Sequence, residues 1–183
     1  MTVDFHSLSF EQAIAHCQAL LAQVDQQQIT DGDLETAIGQ LVATENGARG
    51  FFVTFLTANN FPLADQPTQP VLNALHTAPA TVGELLVKNL AMSAAMVVHH
   101  QRNADNESAQ GSAQVCRRSQ TLIQSLQLPG VAEKLTELER SLNGEGEYQG
   151  FLTRWGYDDE QKQAIHAALH SLITALRKKA EGW

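Results

Sequence analysis

Apolar residues return every three or four positions along most of this chain, the period of one face of an α-helix, while the two-residue alternation of a half-buried strand is scarce. That pattern narrows the fold to helices packed on helices, because each apolar stripe has to be buried against another element. Ser9-Phe10-Glu11-Gln12 has the spacing of a capping box, and Phe10, Ala13, Ile14, Cys17, Leu20, Leu21 and Val24 follow at helical intervals as far as Gln26-Gln27-Gln28. Thr30 or Asp31 caps a second helix whose stripe is Leu34, Ile38, Leu41 and Val42, expected to run until the glycines at 47 and 50. The run from Phe51 to Leu56 has the composition of a strand, but no partner strand stands out elsewhere, so it is read as helix.

Pro62, Pro67 and Pro70, with Asn59-Asn60, mark an irregular connection and leave room for only a short helix from Val71 to His76. Pro79 and the box Thr81-Val82-Gly83-Glu84 open a central helix that runs to about Arg102 and is followed by a polar turn from Asn103 to Glu107. Val115, Leu122, Ile123 and Leu126 give the next helix its core face before Pro129-Gly130. Val131, Leu135, Leu138 and Leu142 make another, which stops at the turn Asn143-Gly144-Glu145-Gly146. The last helix begins at Asp158-Asp159-Glu160-Gln161, turns Ile165, Leu169, Leu172, Ile173 and Leu176 inward, and ends on Arg177-Lys178-Lys179, which suits its C-terminal dipole. The expected fold is a single all-α domain over residues 1–183, with six to eight helices around the apolar segment Leu85 to Val98.

Charge is spread unevenly. The net charge is −8, and residues 1–100 hold nine acids against only Arg49 and Lys88. Such an acidic balance argues against binding nucleic acid or an anionic membrane, both of which depend on neutralising phosphate. The segment Leu85 to Val98 falls short of the ~20 residues a spanning helix needs and is interrupted by Lys88, Asn89 and Ser93. Two cysteines without metal-site spacing, Cys17 and Cys116, and no charged-then-apolar leader lead to the expectation of a reducing, cytoplasmic setting.

Arg49 is the sole Lys or Arg in the first 87 residues and lies in Gly47-Ala48-Arg49-Gly50, where glycines allow close backbone approach; with Glu45 it is the candidate contact for a small anionic ligand. The simpler account is that Arg49 pairs with Glu45, four residues earlier. His166 and His170, four apart on the last helix, are candidate metal ligands, although they make only half a site. His99-His100 after Met92 and Met96 is better explained as core and surface of one helix, and Cys17 beside His16 as a buried structural thiol. No residue pattern identifies a cofactor, a catalytic triad or a carboxylate pair, so no reaction is indicated. The expected function is a regulatory or protein-interaction module that binds a protein partner or itself as a homo-oligomer; the alternative is a helical protein that binds a metal or small ligand.

Overall fold

The computed structural model describes residues 5–181, apart from the side chains of His6 and of residues 179–181, so Lys179 of the terminal basic run lies outside the described side chains. Among the described residues there are ten α-helices and no strand: α1 (Phe10–Asp25), α2 (Asp31–Val42), α3 (Glu45–Thr57), α4 (Pro62–Asp65), α5 (Gln69–His76), α6 (Pro79–Arg102), α7 (Asn106–Leu126), α8 (Val131–Leu142), α9 (Gln149–Trp155) and α10 (Asp159–Glu181). The all-α class is as expected from the periodicity. The count exceeds six to eight because Pro62 opens a four-residue helix inside the connection and Gln149–Trp155 forms a turn of its own.

Side-chain caps and prolines together explain most of the helix starts. Ser9 accepts the Gln12 N–H at 3.2 Å while the Gln12 side chain accepts the Ser9 N–H at 2.8 Å, a complete capping box. Thr30, Thr44 and Asp105 accept from the N–H groups of Asp33, Gly47 and Ser108 and start α2, α3 and α7. At α10, Asp158 and Gln161 make the same reciprocal pair, at 3.0 and 3.2 Å. Proline opens α4 and α6 and sits in the first turn of α5, where its missing N–H has no intrahelical acceptor to lose. The box at Thr81 is therefore internal to α6, which starts at Pro79, two residues earlier.

The chain forms two compact units, Met1–Leu85 and Leu86–Trp183. In the first, α1 packs along α3, and α2 packs on α3 and α5. Its core is rich in phenylalanine: Phe51 stacks on Phe55 at 5.0 Å and meets Phe52 edge-on at 5.3 Å, and Phe61 closes on Phe55 at 6.1 Å. Each buried ring removes roughly 1.5–3 kcal/mol worth of apolar surface from water. Residues 51–56 are thus helix, with 51, 52, 55 and 56 buried.

In the second unit α10 packs on α7 and α8, and α8 on α9. Leu122, Leu135, Leu138, Ile165, Leu169 and Leu172 are buried there. Arg102, at the end of α6, forms ion pairs with Asp158 and Glu160 at the start of α10. The turn after α8 is fastened by one buried hydroxyl: Ser141 Oγ donates to the Glu137 carbonyl at 2.7 Å and accepts the Tyr148 N–H at 3.0 Å, while Gln149 Nε2 donates to the Ser141 carbonyl at 2.6 Å. Gly146 closes that turn at φ +135°, where a side chain would lie 2.4 Å from Ser141 Oγ.

Sequence charge divides sharply between the units: residues 1–85 hold one Arg against nine acids, and residues 86–183 hold eleven basic residues against eleven acids. The whole formal charge of −8 therefore belongs to the first unit. Among the described residues α6 is the one helix long and apolar enough to cross a membrane, and 56% of its most apolar window is buried, as in the core helix of a folded domain.

Candidate functional site

Residue 50 decides how α1 and α3 meet. A Cβ there would lie 2.6 Å from the Ala13 Cβ and 2.9 Å from the α1 backbone, so only glycine lets the two helices come this close. Successive contacts advance together along both helices: Arg49 lies over the Phe10 ring at 5.0 Å, Gly50 faces Ala13, and the Cys17 thiol reaches the Phe51 carbonyl at 3.8 Å. The helices hence run in the same direction.

Beyond that close approach they enclose a groove of about 450 Å³. Ile14, Gln18, Leu21, Ala22 and Asp25 line it from α1, and Val53, Thr54, Thr57 and Ala58 from α3. Val53 is 42% exposed on the groove's α3 wall. Thr54 and Thr57 donate their hydroxyls to the carbonyls of Gly50 and Val53, which leaves their methyl groups as the unengaged part. The α1 edge consists of exposed Glu11, Ala15, Gln18, Ala22 and Asp25, and the α3 edge of exposed Glu45, Arg49, Val53 and Thr57. An open, mostly apolar trough with carboxylates at its margins can hold an apolar stripe and orient charged flanks.

The structure places Glu45 and Arg49 on this edge, two turns and one turn before Val53 respectively. Among the described residues no ion pair joins them, and the guanidinium rests on Phe10 instead. Gly47 and Gly50 are not a ligand-cradling loop. Both are buried inside α3, where the Gly47 N–H is taken by Thr44 Oγ1 at 3.1 Å.

His166 and His170 stack at 5.9 Å with rings 11° from parallel, and Glu139 Oε1 lies 3.5 Å from His166 Nε2. Among the described residues no three His, Cys, Asp or Glu side chains gather as a metal site requires. His99 and His100 meet edge-on at 5.4 Å and turn to Asn103 and Asp105 respectively. Burial pushes the Cys17 thiol up to about 12, against a smaller opposing pull from Thr54. Burial also raises Cys116, with Ser93 and Arg117 acting the other way. Neither thiol is activated as a nucleophile.

Sequence reasoning missed Val53, Ile14 and Asp25 as a set. The signal was helical phase: with 51, 52, 55 and 56 turned inward, an apolar residue at 53 has to face outward.

A family model described as "Uncharacterised conserved protein UCP020893" matches residues 9–172. No curated protein and no solved structure matches the chain.

Proposed function

We propose that this chain, which belongs to the family described as Uncharacterised conserved protein UCP020893, is a protein-interaction module that docks its partner in the groove between α1 and α3. The observation that carries the reading is the exposure of Val53 beside an apolar trough of about 450 Å³. Single exposed aliphatics are ordinary, but one placed on the lip of a concave apolar surface gains most when a partner covers it. The groove is built on two helices held at close approach by Gly50, so it is formed before any partner arrives and little ordering is needed on this side. The Glu45 and Arg49 edge supplies polar contacts at the rim, where charge governs specificity more than affinity.

The test is site-specific photocrosslinking in cells, with the photoreactive residue at Val53 and, as a control, at Thr36, which is exposed on α2 of the same unit. A discrete adduct from position 53 and none from position 36 is expected. Absence of an adduct at 53, or the same adducts from both positions, overturns the reading.

A further inference from the structure

We infer that the groove between α1 and α3 selects an amphipathic helix with basic flanks and holds it in one direction, antiparallel to α1 and α3. This rests on the docking reading above and names its partner class. Shape comes first. The groove follows α1 from Ile14 to Asp25, about three turns or ~17 Å at 1.5 Å per residue, the span of anchors spaced i, i+3 or i+4, i+7 and i+11 on a bound helix. Ala15 and Ala22 keep the α1 edge low, so a helix backbone can settle near the usual 8–10 Å interaxial distance, with Val53 packed on its far side.

Charge sets the flanks. Glu11 and Asp25 bracket the α1 edge, in a unit that carries nine acids against one Arg. An acidic helix is repelled there, whereas Lys or Arg beside the apolar stripe meets carboxylate. Direction follows from the ends. Arg49 stands one turn into α3, over Phe10 at the start of α1, but Glu11 and Glu45 lie at the same end and Asp25 at the other, so side-chain charge alone sets no direction. Because α1 and α3 run the same way, their dipoles add and set the polarity: positive at the end near Phe10 and Arg49, negative near Asp25. A bound helix therefore puts its positive N-terminal end at Asp25 and its C-terminal carbonyls at Arg49.

The experiment uses the full chain and peptides of about 18 residues, five turns, with one Leu/Ala stripe and either Lys or Glu flanks. Binding is followed by fluorescence anisotropy, against wild type, Ala22→Trp, which fills the trough from an exposed position, and Val53→Glu as an independent block should the first variant misfold. The Lys peptide is expected to bind, to lose about tenfold in affinity in either variant, and to weaken as salt is raised. A nitroxide on its N-terminus should broaden the amide resonances near Asp25, and one on its C-terminus those near Phe10 and Arg49. Equal binding of the Lys peptide to wild type and both variants means general attraction to an acidic surface and overturns the inference. Reversed broadening overturns the assigned direction. A Glu peptide that binds as well and is blocked by the same variants overturns the charge preference but leaves docking intact. Binding by neither peptide overturns the partner class, and the crosslink at Val53 then decides separately whether docking itself stands. If Val53 crosslinks to a second copy of this chain, the inferred occupant is wrong.

Discussion

Gly50 and Gly111 are both helical glycines, yet they answer to opposite forces. A Cβ at 50 meets α1 backbone at 2.9 Å, so Gly50→Ala has to push two helices apart, at a cost of about 1–3 kcal/mol that outweighs its gain in helix propensity. Nothing lies within 4 Å of a Cβ at 111, on the exposed side of α7, and Gly111→Ala should stabilise by about 0.5–1 kcal/mol. Urea denaturation of the two variants checks both signs, and a neutral Gly50→Ala would remove the close approach as the reason for that glycine. Cys17 makes a second residue-scale prediction. Its thiol is fully buried and held up to about 12, so at about pH 8 it should resist a thiol reagent until the protein unfolds. Here the limits of reading a sequence are plain. Glycine at 50 looks like a helix stop because the residue that demands it, Ala13, is 37 positions away and visible only in space.

Two helix starts were legible for the opposite reason, since a cap is satisfied within three residues, whereas the end of α2 at Val42, ahead of the glycines, was not. Ser9 with Gln12 and Asp158 with Gln161 could be read directly, and both form reciprocal pairs. What local chemistry does not disclose is the ion-pair partner, Arg102, fifty-six residues before Asp158. Hydrogen bonds from that guanidinium, ahead of the Gln161 backbone, hold the Asp158 carboxyl down to about 2 against an ordinary 3.8. A carboxylate whose folded pKa is depressed contributes stability that is present above the unfolded value and is lost as pH falls through the folded one, here between about pH 4 and pH 2. Arg102→Ala should move the Asp158 titration upward, as read by carboxyl-carbon NMR, and shift the acid-unfolding midpoint to higher pH. An unmoved titration would assign the depression to the helix cap alone. The groove belongs to the same class of hidden feature, since its two walls come from helices whose facing residues lie some 35 to 40 positions apart.

Across the whole molecule the dominant asymmetry is charge, with all of the net −8 in residues 1–85. Like charges on one compact unit repel over roughly a Debye length of ~10 Å at 0.1 M salt, so added salt should raise the melting temperature until screening saturates. Differential scanning calorimetry in low and high sodium chloride measures this, and a flat response would show that the acids are too well separated to matter. The second unit, balanced between eleven positive and eleven negative side chains, gains little from such screening. It holds another kind of reporter. The turn at residues 143–147 carries Gly-Glu-Gly-Glu, with both glutamates exposed, as an open cleavage site for a glutamate-specific protease would. A protease needs several residues of extended backbone, however, and Ser141 holds this segment in a bend by taking the Tyr148 N–H on one side while anchored to Glu137 on the other. Cutting after Glu145 or Glu147 therefore waits for that hydroxyl to let go, and the rate of digestion counts how often the end of α8 opens.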